Sequence, residues 1–221
     1  MPVTIHEQSQ QLQAAAADHL PSEVVAVFDQ SIQDLLAEGV PADAVKVGDT
    51  LESFTLTDAT GATVTLGQLI ERGPAVIVFY RGGWCPYCNL ELRAFQQILP
   101  DIKAARASLV AISPEKPDDT LTTAQKNSLS FEVLSDVGQK VGRAFGLVYQ
   151  FSDELKSAYG GFGLDIPAKN GADEWALPIS ATYVIDRDGM IIYAYTDPDY
   201  RDRADPLDVL KVLKQQPAAV V

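Results

Sequence analysis

From Ile5 to Leu36 the apolar residues Leu12, Ala15, Ala16, Leu20, Val24, Val25 and Phe28 fall near helical spacing, which predicts a helical segment broken and restarted at Pro21-Ser22. Gly39-Val40-Pro41 marks its end. From Val47 the pattern changes to short runs between turn residues. Phe54-Thr55-Leu56-Thr57, the turn Asp58-Ala59-Thr60-Gly61 and Thr63-Val64-Thr65-Leu66 read as a hairpin. Ala75 to Tyr80 is continuously apolar, as in a strand covered on both faces. Asn89 to Ile102 carries helical spacing in Leu90, Leu92, Phe95, Ile98, Leu99 and Ile102, with Pro100 expected to kink its end. A strand at Ser108 to Ser113, a polar helix near Asp118 to Asn127, a strand at Phe131 to Leu134 and a helix near Val137 to Phe145 continue a βαβ alternation. Phe151 to Trp175, with Gly160, Gly161, Gly163, Pro167 and Gly171, reads as an irregular insertion that could edge an active site. Ala181 to Asp186 and Met190 to Tyr195, joined by Arg187-Asp188-Gly189, form a second hairpin, and Pro206 to Leu213 closes with a helix.

These elements predict an α/β protein: a central mixed β-sheet flanked by helices over residues 45–217, preceded by an N-terminal helical extension over residues 1–44. The extension carries no catalytic residue type in a useful arrangement. It reads as a structural or subunit-contact appendage, so a homodimer stays open.

Composition removes several function classes. Acidic residues outnumber basic ones 30 to 17, for a net charge of -13, so a nucleic-acid partner would meet long-range repulsion. The basic residues from Arg93 to Lys103, with Arg106, are diluted and read as the wet face of a helix. No stretch approaches the roughly 20 apolar residues that a membrane-spanning helix needs. The N-terminus lacks a basic region followed by an apolar core, so no secretory signal is expected and the expected compartment is the cytoplasm. There, a close cysteine pair is more readily catalytic or metal-binding than a structural staple. A four-ligand zinc site would need two more ligands, and the two histidines, His6 and His19, lie far off in the extension. No metal or other cofactor is therefore expected.

The candidate chemistry lies in Trp84-Cys85-Pro86-Tyr87-Cys88, which holds both cysteines of the chain. The thiolate is the attacking form of cysteine, and a free thiol with a pKa of about 8.5 is only partly ionised at neutral pH. This pair follows the strand ending at Tyr80, across Arg81-Gly82-Gly83-Trp84, at the predicted start of the next helix. Free amide hydrogens and the positive dipole end of a helix favour an anion at its first turn. Pro86 fits a first helical position, and Gly82 and Gly83 permit a tight turn and a close backbone approach by a substrate. Cys85 is expected to face outward as the nucleophile, with Cys88 one turn on as the resolving thiol. A peroxide would oxidise Cys85 to a sulfenic acid, which Cys88 would convert to a disulfide; a disulfide substrate would pass through a mixed disulfide on Cys85. Trp84 and Tyr87 are expected to border the sulfur site. Arg81, the one strong cation near in sequence, is either a surface ion-pair partner or electrostatic support for the thiolate.

The segment Phe79-Tyr80-Arg81-Gly82-Gly83-Trp84-Cys85-Pro86-Tyr87-Cys88, followed by Ala181 to Gly189, resembles the peroxiredoxin-like proteins of the alkyl hydroperoxide reductase/thiol-specific antioxidant superfamily, over about Val47 to Leu213. The resemblance implies a thioredoxin-like fold. It also implies reduction of hydrogen peroxide or organic hydroperoxides, with recycling by a thioredoxin- or glutaredoxin-type reductant. In the family pattern a proline follows the aromatic end of the strand and a threonine stands three residues before the peroxidatic cysteine. Here Arg81 holds the proline's place, and counting back three from Cys88 reaches Cys85, a register that would make Cys88 peroxidatic. Cys85 is preferred on the thioredoxin-like pattern. The family's arginine, or the cis-proline of thioredoxins, should fall at Ser180, which with Trp84, Pro86 and Tyr87 is a candidate substrate-binding residue. Pro178 could supply a cis turn if the register slips. Arg201 and Arg203 are substitutes for the arginine, more readily read as exposed loop charges. The alternative functions are a general disulfide reductase and a redox-sensing interaction protein without enzyme activity.

Overall fold

The computed structural model describes residues 4–216, so residues 1–3 of the expected extension and residue 217 of the expected domain lie outside the described residues. Helix α1 (Ile5–His19) opens on a capping box: the Thr4 hydroxyl accepts from the Glu7 amide, and the Glu7 carboxylate accepts from the Thr4 amide. Pro21 interrupts the chain and α2 (Ser22–Ala37) follows. The chain continues with β1 (Thr55–Asp58), β2 (Thr63–Thr65), α3 (Leu66–Ile70), β3 (Ala75–Phe79), α4 (Pro86–Ala104), β4 (Ser108–Ser113), α5 (Pro117–Lys126) and β5 (Glu132–Ser135). Then come α6 (Lys140–Ala144), β6 (Val148–Gln150), α7 (Asp153–Gly161), α8 (Ile166–Asn170), β7 (Ala176–Pro178), β8 (Ala181–Ile185), β9 (Ile191–Thr196) and α9 (Pro206–Gln215).

Seven strands form one sheet in the order β2-β1-β5-β4-β3-β8-β9. The pairs β3–β4 and β4–β5 are parallel, the others antiparallel, so the sheet is mixed as expected. The central strand β3 is buried along its length because it has a core on each side. Ala75, Ile77 and Phe79 point into a cluster with Val110, Ile112, Phe145 and Tyr183. Val76, Val78 and Tyr80 point the other way, into a cluster with Leu92, Phe95, Val184, Val209 and both cysteines. Alternation at period two on a strand with no wet face gives the unbroken apolar run. Helix α4 packs on this second face beside α9 and α1, and α2 packs on α7.

Two stretches depart from the sequence expectations. Leu66, expected at the end of a strand, starts α3, because Thr65 and Gln68 cap one another's backbone amides and turn the chain into a helix. The stretch 151–175 is not irregular. It folds into α7 and α8, capped by Ser152 and Asp165, and their apolar sides form a small core with Phe151 and Leu177. Strands β6 and β7 bracket this stretch as a separate two-stranded sheet. Helix α4 holds Pro100 in its last turn and a half and ends at Ala104, close to the expected end. Among the described residues, no helix is long and apolar enough to cross a membrane.

Candidate active site

Strand β3 delivers the chain to the loop Tyr80-Arg81-Gly82-Gly83-Trp84, and Cys85 is the N-cap of α4. Its sulfur accepts a hydrogen bond from the Cys88 amide at 3.5 Å, and Pro86 occupies the first turn, where its missing amide hydrogen leaves nothing unpaired. The two glycines sit in a tight turn closed by the Cys85 amide on the Gly82 carbonyl, with Gly82 at a φ of 155°, and the chain packs closely on both. A Cβ on Gly82 would lie 2.3 Å from Trp84 Nε1, and one on Gly83 would lie 2.0 Å from Thr123 Oγ1, so side chains of this chain press on the loop. Glu115 fixes the loop further by accepting from the Gly83 amide at 2.7 Å.

Arg81 is buried, which rules out the surface ion pair. One terminal nitrogen donates to the Tyr159 hydroxyl at 2.9 Å and the other to the Cys85 sulfur at 3.3 Å. The guanidinium also lies 3.7 Å from the centre of the Tyr200 ring and 5.3 Å from that of Trp84. Trp84 meets Tyr159 edge-on at 5.5 Å, and Tyr87 meets Tyr200 edge-on at 5.6 Å. Trp84 and Tyr87 thus border the cysteine site, with Tyr159 and Tyr200 completing an aromatic cover that local sequence did not reveal.

The expectation that Cys85 faces outward is not met: both cysteines are 0% exposed. They are free thiols. The cover explains the burial, because the four rings close over the helix start from three separate segments of the chain. Arg203, expected as an exposed loop charge, is a second correction. It donates to the Cys88 sulfur at 3.5 Å and to the Glu91 carboxylate at 2.9 Å, and the side chains of the ion pair are each 1% exposed. Thr182 donates to Glu91 as well, at 3.3 Å. Arg201 is only half-buried and is held by Asp199 and Asp29. Arg81 is therefore not the sole cation of the site; each cysteine has its own arginine.

The two thiols differ in their electrostatic setting. Burial opposes ionisation of Cys85, but its hydrogen bond with Cys88, the positive charge of Arg81 and that of Arg203 together hold it well below the ordinary thiol value. Burial pushes Cys88 well up, and its hydrogen bond with Cys85 and the negative charge there reinforce the shift. Burial raises Glu91 to about 7 against the pull of Arg203, and raises Glu115 to about 7 against its bond from Gly83. The arrangement suits one thiolate at Cys85 with a protonated thiol at Cys88.

Ser180 immediately precedes β8, one residue beyond the Phe79–Ala181 pair; it is buried, its hydroxyl is unpartnered among the described residues, and it does not line the cavity beside the aromatic cover. Arg81, Trp84, Pro86 and Tyr87 line that cavity together, and Ser180 does not. Pro178 provides no cis turn: the one cis peptide bond among the described residues is Val40–Pro41. Neither Arg203 nor Tyr159 carried a local signal, being 115 and 78 positions from the residues they bind.

The model of the AhpC/TSA family matches residues 47–194. A candidate peroxiredoxin of Mycobacterium tuberculosis is 34% identical over 66% of this chain and 82% of its own length. The chloroplastic peroxiredoxin Q of Triticum aestivum is 29% identical over 72% of this chain and 63% of its own length. Among solved structures, peroxidoxin BcpB of Mycobacterium tuberculosis superimposes with a TM-score of 0.63 at 24% identity, covering 79% of this chain and 99% of that one. Peroxiredoxin Q of Xanthomonas campestris gives 0.57 at 20% identity, covering 73% and 89%. At these identities the structural likeness speaks for the fold.

Proposed function

The chain belongs to the AhpC/TSA family and has a peroxiredoxin-like, thioredoxin-type fold, and from that premise we propose that it is a thiol-dependent peroxidase working through Cys85 and Cys88. The observation that carries the assignment is the 3.3 Å hydrogen bond from Arg81 to the Cys85 sulfur at the N-cap of α4, with the Cys88 amide donating to the same sulfur. In this reading the Cys85 thiolate attacks the terminal peroxide oxygen. The O–O bond breaks, an S–O bond forms, and the leaving oxygen takes up a proton and departs as alcohol or water. The Cys88 thiol then attacks the sulfur of the sulfenic acid, water leaves, and a disulfide forms. A thioredoxin-type dithiol restores the two thiols by exchange.

Burial under the aromatic cover favours a small peroxide over a protein disulfide, which would have to bring its own sulfur to Cys85 through Trp84 and Tyr200. One observation speaks for the reverse roles: Arg203 bonds the Cys88 sulfur. Its charge is shared with Glu91, whereas Arg81 forms no ion pair with a carboxylate among the described residues and bonds Tyr159 and Cys85, and this favours Cys85 as the thiolate. The deciding assay supplies the reduced protein with hydrogen peroxide and an alkyl hydroperoxide, with thioredoxin recycling, beside insulin reduction. Peroxide consumption without insulin reduction is expected. Insulin reduction without peroxide turnover would make the protein a disulfide reductase, and thiols inert to oxidants and alkylating reagents in the native state would end both readings.

A further inference from the structure

The aromatic cover has an outer side. Trp84, Tyr87, Tyr159 and Tyr200 form the floor of a cavity of about 370 Å³, and its opposite wall is built by α1 and α2, with Ala16, Leu20, Val25 and Phe28 facing it. These helices precede residue 47, where the family match begins, so half of the cavity is made by chain outside the shared core. They are fastened to the site at several points. Phe28 meets the Tyr159 ring edge-on at 5.6 Å, the Ser9 hydroxyl donates to the Arg201 carbonyl at 2.5 Å, and Asp29 lies 2.7 Å from the Arg201 guanidinium.

Size and charge limit what this space can hold. A water molecule occupies about 30 Å³, so the cavity has room for many times the bulk of hydrogen peroxide. Aliphatic and aromatic walls give a tail apolar burial and give a free peroxide little to bond. The lining cations are already engaged: Arg81 by Cys85 and Tyr159, Arg201 by Asp29 and Asp199. With Asp29 on the lining and both arginines paired, a carboxylate-bearing tail is disfavoured. Two buried donors of lining residues, Arg81 Nε and Trp84 Nε1, have no hydrogen-bond partner among the described residues.

We infer that the N-terminal helical pair completes a binding site for the uncharged alkyl or aryl tail of an organic hydroperoxide, whose peroxide end is directed at Arg81 and the Cys85 sulfur behind it. The inference rests on the peroxidase reading and adds to it the part of the chain that selects the substrate. Cys85 gives an electron pair to the terminal oxygen, the O–O bond breaks, and the alkoxide takes a proton from solvent and remains as the alcohol. That alcohol is then an inert occupant of the same cavity.

The experiment measures kcat/KM over a series of uncharged n-alkyl hydroperoxides, with hydrogen peroxide and a carboxylate-ended hydroperoxide as references. Each added methylene is expected to raise kcat/KM about fourfold, from ~0.8 kcal/mol per buried methylene, until the cavity is filled. Ala16→Phe, which fills the cavity from α1, should cut the ratio of alkyl hydroperoxide to hydrogen peroxide kcat/KM at least tenfold. Binding of the matching alcohols, followed by tryptophan fluorescence in the unmodified protein, gives a readout that needs neither turnover nor the variant. A ratio indifferent to chain length and to Ala16→Phe, with no alcohol binding, overturns the inference while leaving the peroxidase reading in place. Alcohol binding that strengthens with chain length, in a protein that turns over no peroxide, sustains the cavity and removes the peroxidase reading.

Discussion

The Arg81 guanidinium donates to the Cys85 sulfur at 3.3 Å and to the hydroxyl of Tyr159, 78 positions further along the chain, at 2.9 Å. A cation four residues before the thiol is thereby aimed by a residue of α7, which the sequence presents as loop. The charge lowers the thiol pKa, and the tyrosine holds the charge in place.

Removing that charge should be visible in the ionisation of Cys85. In Arg81→Met, the pH midpoint for alkylation by iodoacetamide should rise by about one unit or more, and the rate at neutral pH should fall roughly tenfold. Tyr159→Phe keeps the charge and should shift the midpoint less. An unchanged midpoint in Arg81→Met would mean that the helix terminus alone sets the ionisation.

The division of labour between the cysteines can be read by mass spectrometry after a peroxide pulse. Cys85→Ser should abolish thiol chemistry. Cys88→Ser should let sulfenic acid accumulate on Cys85, because the protonated resolving thiol is gone. Sulfenic acid on Cys88 in the Cys85→Ser protein would transfer the attacking role to Cys88 and Arg203.

Stability should fall as pH rises through the Glu91 titration. The unfolded carboxyl loses its proton near 4.5 and the folded one near 7, so between these values the native state holds the extra proton. Its contribution is fully present below about 4.5 and is lost above about 7, with a magnitude on the order of 3 kcal/mol. Glu91→Gln should flatten the pH dependence of the urea midpoint in that window. Glu115→Gln should act in the same direction at the Gly83 end of the site.

The loop before the cysteines should tolerate no side chain at Gly83. Gly83→Ala puts a Cβ 2.0 Å from Thr123 Oγ1, and the strain should cost about 1–3 kcal/mol in chemical denaturation. Thr123→Ala removes the clashing hydroxyl and leaves a 3.2 Å contact, so the double variant should recover part of the loss. Equal stability of Gly83→Ala and the unmodified protein would show that the loop moves without cost.

Much of the fold was legible locally. The β3 run, the hairpin at Asp188-Gly189 and the start of α4 at Pro86 each rest on neighbours in sequence: alternating apolar residues, a turn residue, a proline without an amide hydrogen. The stretch 151–175 was misread because its glycines and Pro167 outweighed short helical signals that only packing against Phe151 and Leu177 makes stable. The cysteine pair was legible because the chemistry needs two sulfurs one helical turn apart. Ser180 was placed by the family's pattern, just before the strand that became β8, and that position does not say what its buried hydroxyl meets.

By itself the sequence determined a mixed α/β sheet and a two-cysteine helix start with an adjacent cation, since periodicity, capping and spacing act over a few residues. Tertiary structure alone decided that both sulfurs lie covered, that Arg203 is buried against Glu91 and Cys88, and that α1 and α2 close a cavity over Arg81. The physical reason is that burial and electrostatic pairing depend on which segments the fold brings within a few ångströms, and here those segments stand about a hundred positions apart.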